Sequence, residues 1–321
     1  SVALNARAVA RFSEAMDAGS ISANTLTLSG PSGALTGTVS YDATGNVAEF
    51  LPTTQLAAST TYTATVNTGV RDLAGNGLAS SLTWTFVTGT SVDTAAPTVT
   101  FTFPVASAVN VALNTKLSAR FSEAMSSAGT FTLDGPAGTV AGSVSYDAIN
   151  FVTEFVPTAA LTADTDYTAR VGTGAKDLAG NSLASTFAWA FKTGATADTS
   201  APSVTSTSPV AGAANVPINA TIQAVFSEPL DTKTITTTSF TLQLNGAAVA
   251  GAVESPGTSS TATFTPSASL SPVSTYTATL TTTLADMAAT RWRASSCGPS
   301  RPPPTRPKVR LRSTWAPLGT T

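Results

Sequence analysis

An all-β chain of consecutive antiparallel β-sandwiches is the fold class this sequence predicts. Three observations predict it. Long segments recur at domain-sized intervals, apolar residues alternate with a period of two, and no stretch carries the 3.6-residue period of an amphipathic helix.

The repeats come first. RFSEAM at Arg11–Met16 returns whole at Arg120–Met125 and as VFSEPL at Val225–Leu230. DLAGN at Asp72–Asn76 returns at Asp177–Asn181, and DTAAPTV at Asp93–Val99 returns as DTSAPSV at Asp198–Val204. Intervals of 105 to 109 residues suit whole domains, not solenoid turns. The expected units are 1–93, which lacks a first strand; 94–198, which is complete; and 199–288, which lacks a last strand. A basic, Pro/Arg-rich tail covers 289–321.

The second unit shows the strands in order. PTVTFTFP reads as the first. TKLSARF puts Leu117, Ala119 and Phe121 on one face. GTFTLDG and TVAGSVSYD follow, separated by Gly and Pro. FVTEFVP puts Phe151 and Phe155 on one face, DYTARV does so with Tyr167, Ala169 and Val171, and FAWAF with Phe187, Trp189 and Phe191. Seven short alternating strands divided by turn signals are the pattern of an antiparallel sandwich.

Composition excludes several functions. Charged residues are only 11% of the chain, and no run of 18 apolar residues exists, so no membrane span is expected. The net charge of −2 conceals an acidic body and a basic tail. Through Asp286 there are 9 basic and 18 acidic residues; from Met287 onward there are 7 basic and none acidic. A body without a basic stripe does not suit nucleic acid. There is no His, which removes Ser-His-Asp and Cys-His catalysis and HExxH zinc sites. Cys297 stands alone and cannot build a thiolate zinc site. DLAGN lacks the Lys and following helix of a phosphate loop.

Two groups of polar residues remain. Glu14, Glu123 and Glu228 each follow a core Phe and read as strand-end acids. Asp72, Asn76, Asp177 and Asn181 read as turn residues: Gly75 and Gly180 supply positive φ, the Asn tolerates it, and the Asp bonds the turn backbone. One Asp and one Asn are few ligands for calcium, so the bare turn is the expectation there.

FSEAM, YTATV, DLAGN and W-x-F together resemble the SbsA-type bacterial Ig-like domain, over about residues 1–289 in three copies. The resemblance implies tandem Ig-like sandwiches of about seven strands and no enzymatic activity. It also implies an extracellular or cell-surface location, as in surface-layer proteins and adhesins. Leu56 to Tyr62, Leu161 to Tyr167 and Leu270 to Tyr276 share one spacing, at which an Ig-type sandwich places a Tyr whose hydroxyl bonds back to the corner backbone. The function so implied is structural: a spacer that presents or links another domain, with neighbouring domains of a longer chain as partners. The alternative is an adhesive module for surface glycan, a host surface or ice; scattered Thr count against ice. No cofactor is expected, with calcium the exception. Tandem Ig-like adhesin domains hold calcium at linkers of similar composition, which points to Asp93 and Asp198. The plain alternative is a short linker whose Pro97 or Pro202 opens the next strand. The first copy has no Lys, so an isopeptide crosslink in every repeat is excluded.

The tail has its own explanation. GC-rich codons for Gly-Asn-Ala-Leu-Ala-Ser, read after loss of the first base, give Ala-Thr-Arg-Trp-Arg, the residues at 289–293. Residues 289–321 are therefore expected to be an out-of-frame translation and disordered, with no function assigned to Cys297. The rival is a genuine basic tail for an acidic surface or an aromatic groove. Sequencing the DNA around the Met287 codon decides between them: a missing base is expected, and an intact frame contradicts it.

Overall fold

Alternating strands with one apolar face must bury that face against another sheet. The computed structural model describes residues 2–43, 46–148, 150–255, 260–292 and 310–313, and pairs the strands in that way. In the second repeat one sheet orders Val99–Phe103, Leu117–Phe121, Val152–Pro157 and Gly142–Asp147. The facing sheet orders Phe187–Lys192, Asp166–Val171, Phe131–Gly135 and Gly138–Thr139. All these pairs are antiparallel. A short ribbon joins Met125–Ala128 to Ala175–Asp177. No α-helix occurs among the described residues.

Leu117, Ala119 and Phe121 point inward as their alternation requires, each at most 1% exposed. Tyr167, Ala169, Val171, Phe155, Trp189 and Phe191 join them in one core. Phe151 differs from expectation. It lies before the strand in a left-handed turn (φ 58°) and packs on the core from its rim. The first and third repeats have separate cores of the same kind. Each corner Tyr accepts a hydrogen bond from the N–H of the residue after the paired Leu. These are Ala57 to Tyr62 at 2.8 Å, Thr162 to Tyr167 at 3.0 Å and Ser271 to Tyr276 at 2.7 Å.

The terminal repeats depart from this plan. In the first, the sheet of Ala8–Arg11, Val47–Pro52 and Gly37–Asp42 has three strands, with Ala8–Arg11 at its edge. In the third, the edge expected to be open is taken by Arg310–Ser313, from the tail expected to be disordered. It runs parallel to Thr275–Leu280, whereas Leu82–Val87 and Phe187–Lys192 run antiparallel to their neighbours. A sheet edge offers unpaired N–H and C=O groups, and an extended segment satisfies them in either direction. Structure also continues past the boundary expected at 288. Trp292 N–H donates to Leu284 O as Leu183 N–H donates to Ala175 O. Trp292 is 3% exposed and packs in the third core. Cys297 and residues 293–309 and 314–321 lie outside the described residues.

Tyr167→Phe keeps the ring stacked on Phe191, 5.8 Å away, but strands the Thr162 N–H. A loss of about 1–3 kcal/mol is expected in the unfolding transition of the second repeat. Urea denaturation followed by near-ultraviolet signals measures it, and an unchanged transition contradicts the corner bond.

Candidate functional site at the joints between repeats

Each joint begins with an asparagine reading the backbone of the linker aspartate. Asn5 Nδ2 donates to Asp93 O at 2.7 Å, and Asp93 N–H donates to Asn5 Oδ1 at 2.9 Å. Asn114 and Asp198 repeat the pair at 2.9 and 2.8 Å. The linker is brought there because the chain leaving each closing strand turns alongside the start of its own repeat. Val2 bridges Thr88 and Val111 bridges Thr193, both in parallel. Ala95 N–H then donates to Asp93 Oδ1, and Ser200 N–H to Asp198 Oδ1, which sets each carboxylate over a turn.

The next repeat supplies two further acids. Glu123 follows the buried Phe121 where the strand turns out, and its neighbour Ser122 is tied to Thr98 through two hydrogen bonds. Met125 N–H donates to Tyr146 OH at 2.9 Å and fixes the far end of that segment. Asp177 opens the DLAGN turn. Its Oδ1 accepts Asn181 N–H at 2.9 Å and its Oδ2 accepts Asn181 Nδ2 at 2.8 Å. Gly180 has φ 93° and Gly75 φ 87°, as expected. The role read for the Asn is corrected: neither Asn76 nor Asn181 needs positive φ, and each instead donates to its Asp.

These pieces meet. Carboxylate oxygens of Asp93, Glu123 and Asp177 lie within 4.8 Å of one another, and those of Asp198, Glu228 and Asp286 do the same. The sequence points to Asp93 and Asp198 as linker ligands, to Asp177 as a turn residue and to Glu123 and Glu228 as strand-end acids; the structure brings the linker, turn and strand-end acids together. The signal was present, since the three acids recur in the same order, at intervals of 105, 105 and 109 residues. In the first repeat Glu14 is exposed, and Asp72 is half-buried with both oxygens taken by Ala74 N–H, Asn76 N–H and Asn76 Nδ2. The Asn76 bonds hold the Asp72 carboxyl below the usual range.

Crowding shows in the ionisation. Burial, then Asp177 and Asp93, raises the Glu123 carboxyl. Burial, then Asp286 and Asp198, pushes Glu228 up to about 7. Burial also raises Asp286. The second group has a further feature. Asp286 is 1% exposed, its Oδ1 accepts Ala288 and Thr290 N–H, and its Oδ2 is buried with no hydrogen-bond partner. Thr290 stands where Asn181 fills the equivalent need. Three neighbouring carboxylates, one of them carrying an orphaned oxygen, suit a hard divalent cation that takes oxygen ligands. A cleft of about 720 Å³ opens beside this group, walled by Phe101, Phe103, Pro104 and the turn at Asp286–Ala288.

Backbone contacts complete each joint. Arg7 N–H donates to Leu178 O at 2.9 Å and Lys116 N–H to Met287 O at 2.8 Å, so the DLAGN position of one repeat docks on the preceding repeat. In the first repeat the equivalent Leu73 is 76% exposed. No helix is long and apolar enough to cross a membrane among the described residues.

A family model described as bacterial Ig-like domain matches the chain three times, over residues 1–88, 93–193 and 198–296. No curated protein sequence matches it. Similar solved structures include surface layer protein SbsC, domains 1–6, at 12% identity and TM-score 0.26, covering 96% of this chain and 53% of that one. The S-layer protein rSbsC(31-844) matches at 12% identity and TM-score 0.26, covering 99% and 54%. A third is the Bacteroides ovatus mixed-linkage glucan utilization locus protein SGBP-B, in complex with a mixed-linkage heptasaccharide, at 12% identity and TM-score 0.20, covering 98% and 65%. The chain spans about half the length of the SbsC structures it matches.

Two glycine-site substitutions test the turn. A Cβ on Gly180 would stand 2.5 Å from Arg7 Nη2, at a φ that disfavours any L side chain. Gly180→Ala is expected to destabilise the second repeat by about 1–2 kcal/mol. At the equivalent place in the third repeat Ala289 already sits at φ 64°, so Ala289→Gly is expected to stabilise by up to about 1 kcal/mol. Calorimetry of the two variants reads both signs, and the opposite order contradicts the turn assignment.

Proposed function

The chain belongs to the bacterial Ig-like domain family in three consecutive copies, and from that premise we propose that it is a structural spacer of a secreted or cell-surface bacterial protein. It separates or presents another domain and has no catalytic role. What carries this reading is the joint: the acid of each linker meets two acids of the next repeat, at the place where neighbouring repeats could otherwise swing. Family membership favours it, and so does the placement of the aromatic side chains: of the described residues, all but Phe101 and Phe103, which wall the cleft at the second joint, line the three cores or their rims. A ligand platform would expose them instead.

The finer part of the proposal concerns the cation. Three like charges within one small volume repel, so the joint keeps them together by protonation or by a counter-ion. A divalent cation, calcium by its preference for oxygen, binds Asp93, Glu123 and Asp177 at the first joint and Asp198, Glu228 and Asp286 at the second. Backbone carbonyls and water complete its shell. The bound ion ties the linker to the turn of the next repeat and stiffens the joint.

Without metal, Glu228 binds a proton more tightly folded than unfolded, because its carboxyl rises from 4.5 to about 7. Stability from this group is therefore full below about pH 4.5 and lost as pH rises through about 7. In chelator, the melting temperature of the third repeat is expected to fall over that window, and Glu228→Gln is expected to flatten the fall. Millimolar calcium at pH 8 is expected to raise melting in the native chain and not in Asp198→Asn. A calcium response equal in both chains, or absent, contradicts the cation reading. Small-angle scattering tests the spacer reading separately: an extended particle supports it, and three repeats collapsed on one another contradict it.

A further inference from the structure

The second joint holds two features that the sandwich does not require. One is a pair of phenylalanines. Phe101 and Phe103 are half-buried and wall the cleft of about 720 Å³ beside Asp198, Glu228 and Asp286. In their sheet they stand opposite Arg120 and Ser118. The same places in the third repeat, opposite Val225 and Gln223, are Ser206 and Ser208. The fold therefore needs no aromatic ring there. The other feature is uncompensated charge. No Lys or Arg is among the described residues that line the cleft, and Lys116 commits its ammonium to Asp231. Asp286 lines the cleft, is 1% exposed, and keeps one oxygen without a hydrogen-bond partner.

Geometry selects an occupant. Carboxylate oxygens of the three acids lie within 4.8 Å of one another. A point at their centre is then at most about 2.8 Å from each, within reach of charge-assisted N–H···O bonds. A primary ammonium carries three donors on one atom and matches three acceptors, whereas a guanidinium spreads its donors over a planar fork. Apolar walls beside the acids suit the alkyl stem behind such a head. We propose that the cleft of the second joint binds a primary alkylammonium, its nitrogen among Asp198, Glu228 and Asp286 and its stem along Phe101 and Phe103. The group is supplied by a free amine or by a lysine side chain of a partner protein. Its occupant touches the strand Val99–Phe103 of the second repeat and the Asp286 turn of the third, so binding also braces the joint. The inference shares its three acids with the calcium reading above but does not need calcium, and the two cations compete for one place.

The probe is n-pentylammonium, titrated by calorimetry into the full chain at pH 8 and low salt with chelator present. Binding and a raised melting temperature of the third repeat are expected. Methylammonium is expected to bind at least about tenfold more weakly, because each buried methylene is worth about fourfold. N,N,N-trimethylpentylammonium keeps the charge and the stem but has no donor, and is expected not to bind. Phe103→Ser follows the third repeat at that place, and it and Asp198→Asn are expected to lose most of the pentylammonium binding. Nα-acetyl-lysine amide separates the two sources: binding as tight as pentylammonium supports the proposal with a lysine side chain, and weaker binding supports it with a free amine. Absence of pentylammonium binding at millimolar concentration, equal binding of the trimethylated form, or unchanged binding in a folded Phe103→Ser chain overturns the proposal. Melting raised by calcium but not by pentylammonium overturns it and leaves the calcium reading standing; the reverse result overturns the calcium reading alone.

Discussion

The two-way hydrogen bond between an asparagine side chain and the peptide of a linker aspartate underlies the arrangement of this chain. It joins residues 88 apart at the first joint and 84 apart at the second. Without it the linker has little reason to hold its carboxylate against the next repeat. With it, the acid is delivered to two others that the next fold already positions, one after a core Phe and one in a tight turn. Each repeat is stable through its own core, so the joint does not need to hold the fold together. It holds one fold against another.

The two joints solve this differently, and the differences are coupled. At the first, Arg7 lies against Gly180, and Asn181 fills both needs of Asp177. At the second, Ala289 replaces the glycine and the residue in the place of Arg7 is Lys116, whose ammonium turns away to Asp231. Thr290 replaces the asparagine, and Asp286 is left with a bare oxygen. The second joint gains Lys233 with Glu154, a pair in which the carboxylate side chain is 5% exposed. The first instead lays Arg11 over the Tyr146 ring at 5.1 Å. A buried carboxylate left by its partner is costly, so these contacts constrain geometry more than they add net stability.

Much of the fold was legible because alternation and turn chemistry act locally. Leu117, Ala119 and Phe121 share a face by period alone, and the spacing of Leu161 and Tyr167 carried the corner bond. Phe151 was misplaced because a left-handed turn interrupts its alternation, and no residue type there announces positive φ. The site was only half legible. Asp93 and Asp177 stood out as repeated polar residues, but Glu123 meets Asp177 through the tertiary packing of one repeat, and Asp93 reaches both through the way the linker is held between repeats, neither of which a local pattern encodes. The third repeat was read by comparison with its siblings, and that comparison hid what the altered residues still do. Ala289 accepts the turn, Trp292 fills the place of Leu183, and Arg310–Ser313 pairs an edge in the unexpected direction.

The central claim is that the asparagine clamp fixes one repeat against the next. Spin labels placed on exposed faces of the second and third repeats, read by pulsed electron resonance, test it most directly. A narrow distance distribution in the native chain and a broad one in Asn114→Ala, with both repeats still folded, is the predicted result. Distributions of equal width in the two chains would contradict it.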